Sequence, residues 1–274
     1  MESQSYTSSF AVIYDDVMQK VPYYYWYKYL KYLLKFYNKK PDNILELACG
    51  TGNMLKYFAK EAETLYGVDK SKDMLSVAQS KLREYNFVNF FNTDMSEKYQ
   101  YGEFDFIYSI FDSLNYILNY EDLVDVFKNA HDNLNQDGIF IFDMNTIYRL
   151  MDINEGTNKI EGEDYTCYWR DIIDRECKRW IVELNIYLDR GENIENFTEE
   201  HTETSYSLKK IKEGLKQAGF KKVDIYKSFT FRTGKPKNNR IHFVALKEKP
   251  KENFIKELFI KFKWNIISPF ISIF

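Results

Sequence analysis

The hydrophobic pattern becomes legible at residues 22–37, PYYYWYKYLKYLLKFY. Trp26, Leu30, Leu33, Leu34 and Tyr37 recur there at helical spacing behind Pro22, a residue suited to a first helical turn. Pro41 and Asp42 end that helix. Short apolar runs follow at 43–47, 64–68, 87–91, 104–110 and 137–145. They are continuous rather than alternating, as in strands covered on both faces. The segments between them read as helices. Residues 53–60 open directly on a glycine turn. Ser71 is a helix cap ahead of Met74, Leu75, Ala78 and Leu82, which share one face. Leu123, Val124, Phe127, Ala130 and Leu134 share another. Strand–helix alternation predicts an α/β chain built on a parallel sheet, with ligands bound beyond the C-terminal strand ends.

After Arg149 the period changes. YTCYWRDII, RWIVELNIYL and FTEEHTETSY read as three strands, and Trp180, Val182, Leu184, Ile186 and Leu188 alternate as one buried face of an antiparallel meander. Residues 207–218 return to a helix stopped by Gly219, and KKVDIYKSF with RIHFVALK reads as an antiparallel closing pair. The expected organisation is one domain over residues 1–247, an antiparallel lid over about 151–206, and a tail over 248–274.

Chemistry enters at NILELACGTGNM, residues 43–54. Gly50 and Gly52 are separated by one residue, but the third glycine of a dinucleotide turn is replaced by Leu55, and no Lys-Ser/Thr follows as in a P-loop. Glu46 precedes the turn and repels phosphate, while it attracts an ammonium. Asp69 ends the next strand, where a carboxylate accepts from a ribose diol. Asp94 ends the third, where a carboxylate can accept from an exocyclic amine. An ammonium, a ribose and an adenine on one ligand without phosphate describe S-adenosylmethionine.

ELACGTGN, GVDKSKDML, NTDMSE, FDFIYSIFDSLNYI and GIFIFDMNT, in that order, resemble the successive motifs of class I S-adenosylmethionine-dependent methyltransferases. YDDVMQKVPYYYWYKYL and DSLNYI resemble the YqeM-like bacterial subgroup. The resemblance spans roughly residues 6–247. It implies a Rossmann-like, seven-stranded, mostly parallel sheet with an antiparallel lid insert, and S-adenosyl-L-methionine as cofactor. It places Glu46, Ala48, Gly50 and Gly52 around the methionine moiety and Asp69 on the ribose. Met74, Asp94 and Met95 fall at the adenine, Ile110 and Phe111 on the sulfonium side, and Tyr14 over the cofactor. Each has a plainer alternative: a tight turn for the glycines, core packing for Met74, a turn role for Asp94.

Methyl transfer gains mainly from proximity and alignment, with a general base where the acceptor needs one. Candidates near the acceptor are Asp112, Asn115 and Tyr116 from FDSLNY, and Arg170, Glu200 and His201 from the lid. His201, with an ordinary pKa near neutrality, is the candidate base beside Asp112 and Tyr116. A structural histidine is the competing role.

Composition narrows the partners. Lys and Arg number 38 against 41 Asp and Glu, a net charge of -3, which gives no overall case for nucleic acid. Three cysteines and three histidines, all far apart, suggest neither disulfides nor a metal site. A small-molecule acceptor is therefore expected, with a nucleic-acid methyltransferase or a non-catalytic S-adenosylmethionine-binding protein as alternatives. The N-terminus does not read as a signal peptide, so a cytoplasmic protein, monomer or homodimer, is expected. In the tail, Phe254, Ile255, Leu258, Phe259 and Phe262 share a helical face among lysines. Residues 251–274 are thus a candidate contact to a membrane surface or a protein, or pack on their own domain.

Overall fold

The computed structural model describes residues 8–191, 193–248, 260 and 264. The elements run α1 (Ser8–Val17), α2 (Tyr23–Phe36), β1 (Asn43–Leu47), α3 (Leu55–Phe58), β2 (Thr64–Asp69), α4 (Lys72–Lys81), β3 (Val88–Asn92) and β4 (Phe104–Ser109). A 3₁₀ turn at Ser113–Tyr116 leads to α5 (Tyr120–Asn133), β5 (Leu134–Asn145) and α6 (Ile147–Met151). Then come β6 (Gly156–Glu161), β7 (Tyr165–Asp174), β8 (Arg179–Asp189), β9 (Ile194–Thr204), α7 (Leu208–Gln217), β10 (Lys222–Lys227) and β11 (Arg240–Leu246).

Seven strands form one sheet in the order β10-β11-β5-β4-β1-β2-β3, all parallel except β11, which runs antiparallel to both neighbours. The continuous apolar runs are buried on both faces: Leu45, Ile107 and Phe140 face one layer of helices, and Ile44, Phe106 and Ile141 face the other. The order reverses between β1 and β4, so the crevice of this sheet opens at the carboxyl ends of those two strands. The expected Ser71 cap and Gly219 stop formed, and Ser207, expected as the first residue of its helix, caps it instead. Ser71 Oγ accepts the Met74 N–H and Ser207 Oγ the Lys210 N–H, and Gly219 adopts φ +112° past α7.

The lid has four strands, β6-β7-β8-β9, not three. The additional β6 is an edge strand, and GTNKIE is polar and mostly exposed, so no buried alternation marks it. Helix α1 is a further addition. It packs Phe10, Ala11 and Ile13 on the lid's inner face, against Cys167, Leu184 and Ile186.

Beyond Glu248 of the tail, only Ile260 and Trp264 belong to the described residues; the proposed amphipathic face at Phe254, Ile255, Leu258, Phe259 and Phe262 lies outside them. Trp264 is buried against Tyr29 and Tyr32 of α2, and its Nε1 donates to the Phe229 carbonyl at 2.7 Å. At those two positions the chain packs on its own domain. Among the described residues no helix is long and apolar enough to cross a membrane.

Candidate active site

Chain reversal after β1 uses left-handed backbone at Ala48 (φ +54°), Gly50 (φ +53°) and Gly52 (φ +76°). The two glycines serve different ends. A side chain on Gly50 would meet no atom within 4 Å, because the glycine borders open cavity. One on Gly52 would meet Leu82 Cδ1 at 3.1 Å and Ala78 Cβ at 3.2 Å. Gly52 therefore packs the turn against α4 and does not line the cavity, contrary to its expected place beside the methionine moiety. Asp69 fixes the turn: its two carboxylate oxygens accept the Gly50 N–H and the Ser71 N–H, each at 2.8 Å.

Glu46 is 3% exposed and accepts from the Tyr108 hydroxyl at 2.9 Å. Burial pushes its carboxyl well above the usual range, with the nearby Asp69 adding to the effect. Burial raises Asp69 as well. Met74 from α4, and Asp94 and Met95 after β3, complete this side. Asp94 Oδ1 accepts from the Ser96 N–H and hydroxyl, so part of its acceptor capacity already holds the loop.

At the end of β4, Ile110 leads into Phe111 (φ +64°) and Asp112 (φ +55°), two consecutive left-handed non-glycine residues. Asp143 on β5 receives this turn, accepting the Phe111 N–H at 2.7 Å and the Asp112 N–H at 3.2 Å. Arg240 on β11 bonds both carboxylates, Asp143 at 2.5 Å and Asp112 at 2.9 Å. Burial and the adjacent Asp112 push Asp143 up to about 6 against the pull of Arg240. Asn115 is not part of the cavity wall. It donates to the backbone carbonyls of Asn145 and Thr204 and accepts the Asn145 N–H, riveting the sheet to the end of β9.

The lid covers this region through the inward face of β9. Strand alternation turns Glu199, His201 and Glu203 inward and leaves Glu200 exposed. Arg170 also points away, pairing with Glu183 at 3.0 Å on the outer face. Neither Arg170 nor Glu200 reaches the site. His201 Nε2 lies 3.1 Å from Glu199 Oε2, and its ring stands 6.1 Å from Tyr116 and 5.7 Å from Phe10. From β7 and β8, Trp169 and Trp180 each donate their indole N–H to Asp171 Oδ1, at 3.0 and 2.9 Å.

Helix α1 closes the remaining side with Phe10 and Tyr14. Asp15 anchors it to the glycine turn, accepting from the Thr51 hydroxyl at 2.7 Å, Asn53 Nδ2 at 2.8 Å and Lys81 Nζ at 2.6 Å. Tyr165 of the lid donates to Asp16 at 2.6 Å. The outcome is one cavity of about 370 Å³, running from Glu46, Gly50, Asp69 and Asp94 to Tyr116, His201 and Glu203.

A methyltransferase domain family matches residues 44–138, from β1 into β5. The candidate methyltransferase YqeM of Bacillus subtilis (strain 168) is 29% identical over 242 residues, covering 88% of this chain and 96% of that protein. A carboxy-S-adenosyl-L-methionine synthase of Nautilia profundicola is also 29% identical over 242 residues, 86% of this chain and 92% of the relative. The crystal structure of an S-adenosylmethionine-dependent methyltransferase from Clostridium acetobutylicum is 27% identical with a TM-score of 0.76, covering 87% of this chain and 97% of that one.

The chain is a class I S-adenosylmethionine-dependent methyltransferase similar to the YqeM-like group.

The methyltransferase holds S-adenosyl-L-methionine as its cofactor. Its cavity suits that cation-bearing group by donor chemistry: carboxylates line the wall, and the open face of Gly50 leaves room for close approach. Every expected cofactor residue except Gly52 borders the cavity, as do Asp112, Tyr116 and His201. Four important groups were not anticipated: Asp143, Glu203, Arg240 and the indole pair Trp169 and Trp180. Glu203 had a readable signal, because it shares strand parity with His201. Arg240 had none, since it is 97 residues from Asp143 in sequence.

Proposed function

We propose that this enzyme transfers the methyl group of S-adenosylmethionine to a small molecule enclosed beneath the four-stranded lid. The observation that carries the reading is the single cavity, which joins the carboxyl ends of β1 and β4 to the inward face of β9. Bound S-adenosylmethionine supplies a sulfonium-activated methyl carbon, to which the acceptor's lone pair bonds as the carbon–sulfur bond breaks and its electron pair returns to sulfur. In this reading Glu46 receives the ammonium of the methionine moiety, Asp69 the ribose, and Asp94 with Met95 the adenine. Ile110 and Phe111 border the sulfonium side, and Tyr14 covers it. His201 takes the proton released by the acceptor, with Glu199 beside it stabilising the charged imidazolium. Asp112 and Tyr116 orient the acceptor.

The carboxy-S-adenosyl-L-methionine synthase relatives raise a second reading, in which a carboxyl-bearing group occupies the sulfonium side. That group needs a cation. Arg240 stands there, but its guanidinium is already bonded to two carboxylates, Asp112 and Asp143, which favours methyl transfer. A solved sugar N-methyltransferase of 16% identity shares the fold alone.

The test is transfer of labelled methyl from S-adenosylmethionine into a cell extract separated into low-mass, protein and nucleic-acid fractions. Label in the low-mass fraction, lost in Asp69→Ala, is expected. Label in the nucleic-acid fraction overturns the proposed acceptor class. Formation of carboxy-S-adenosylmethionine supports the second reading.

A further inference from the structure

The acceptor side of the cavity has an unusual balance of charge. Its titratable wall groups are Asp112, Glu203, His201 and Arg240, with Asp143 directly behind and Glu199 beside the histidine. Arg240 is the one permanent cation lining this side among the described residues, and it is bonded to Asp112 and Asp143. Among the described residues Glu203 forms no ion pair, and Arg240 acts on it only through its field. Glu203 accepts from Asn145 Nδ2 at 3.3 Å, while the same amide bonds Asp112. Burial, then the Asp112 charge, holds the Glu203 carboxyl well above the usual carboxylate range. A carboxyl group 5% exposed, bordering a cavity and short of positive charge, is best satisfied by a cation brought in by the ligand.

The lid surface beside Glu203 points the same way by different chemistry, and Trp180 lies directly across from Glu203 in the β8–β9 register. Trp169 and Trp180 both spend their indole N–H on Asp171, so what they present to the cavity is ring carbon. Indole faces attract a cation and offer nothing to an anion. Tyr116 and Phe10 add aromatic surface.

We infer that the acceptor is a small aliphatic amine, bound as its ammonium against Glu203 and the adjoining Trp169–Trp180 surface, and that Glu203 determines this specificity. The inference rests on the proposed methyl transfer to a small molecule. The ammonium first gives a proton to His201. The freed nitrogen lone pair then forms the bond to the methyl carbon while the carbon–sulfur pair returns to sulfur. The positive charge so gained by nitrogen faces the same carboxylates. An oxygen acid or a phosphorylated acceptor meets only Arg240, which is already paired.

The test uses aza analogues of S-adenosylmethionine, in which nitrogen replaces sulfur and carries an aminoethyl, hydroxyethyl or carboxymethyl arm reaching past the methyl position. Calorimetric titration of the full chain is expected to show the aminoethyl arm about tenfold tighter than the hydroxyethyl arm, as one charge-assisted hydrogen bond supports. Glu203→Gln should erase that advantage while binding S-adenosylhomocysteine like the wild type. Trp169→Leu should reduce it in part, and serves if the Glu203 variant does not fold. Equal binding of the three arms overturns the inference and leaves the cofactor site standing. A preference for the carboxymethyl arm overturns it in favour of carboxylate chemistry. Failure of all arms and of S-adenosylhomocysteine removes the underlying reading as well.

Discussion

Besides its apolar packing on the lid, helix α1 is held over the cavity by polar attachments at Asp15 and Asp16, and the stronger can be cut with one substitution. Asp15 receives three hydrogen bonds, from Thr51, Asn53 and Lys81, all on the glycine turn or α4. Burial pushes its carboxyl up, but these bonds outweigh it, and its pKa lies below the ordinary 3.8. The ionised form therefore stabilises docking above the ordinary range, and that contribution is lost as pH falls through the lowered value. Bonds to a charged group contribute about 1.5–3 kcal/mol, and the partial exposure of Lys81 and Asp15 discounts the ion pair, leaving about 2 kcal/mol for Asp15→Ala. The loss falls on α1 rather than on the seven-stranded sheet, whose core does not include it. S-adenosylhomocysteine affinity, read by calorimetry at neutral pH, is expected to drop about thirtyfold at most, since each 1.4 kcal/mol is tenfold. The main thermal transition should move by only about 2 °C, well short of the roughly 4–8 °C that a global loss of that size would give. A fall in melting temperature of that full size with unchanged affinity would refute the reasoning, because Asp15 would then be a staple of the whole domain.

Gly52→Ala should destabilise by about 2 kcal/mol in denaturant unfolding, from left-handed strain plus the contacts with Leu82 and Ala78. Gly50→Ala meets open space, so it should lose less stability but more cofactor affinity in titration. Glu46→Gln should stabilise the fold at neutral pH while weakening cofactor binding. The raised Glu46 contributes stability fully below its ordinary 4.5 and loses it as pH rises through the folded value, so the variant's advantage in melting temperature should grow with pH and vanish below about 4. Trp264→Ala empties a fully buried site on α2 and should cost about 3–5 kcal/mol, read as a lowered urea midpoint.

The sequence makes the sheet legible because burial on both faces leaves a continuous apolar run, and β1, β2 and β4 fall within a residue or so of their expected bounds. Edge strand β6 escapes for the opposite reason: GTNKIE buries almost nothing. The cofactor side is legible because its residues sit at strand ends, where position alone assigns a role. The acceptor side is assembled from β4, β5, β9 and β11, and a pairing such as Arg240 with Asp143 exists only after β11 lies beside β5. Strand parity could have corrected one expectation early. Glu200 and His201 are sequence neighbours on β9, so they cannot both face the cavity.

Charge migration ties the two sides together. In the proposed reaction the positive charge begins on sulfur, flanked by carboxylates of the cofactor side, and ends on the acceptor. For a hydroxyl acceptor that charge disappears with the released proton, and the acidic lid wall gains nothing along the way. For a nitrogen acceptor the charge persists as the bond forms and comes to rest beside Asp112 and Glu203. Only the second course makes those carboxylates stronger partners of the transition state than of a neutral, deprotonated amine, which is the condition for accelerating the chemical step. Asp143 and Arg240 then have a defined part. They fix Asp112 in its left-handed turn and neutralise charge behind the wall, so that the excess negative charge lies on the cavity side. On this reasoning Glu203→Gln should lower kcat for an amine acceptor as well as raise KM. A rise in KM with unchanged kcat would show that Glu203 recognises the ammonium without following the charge into the transition state.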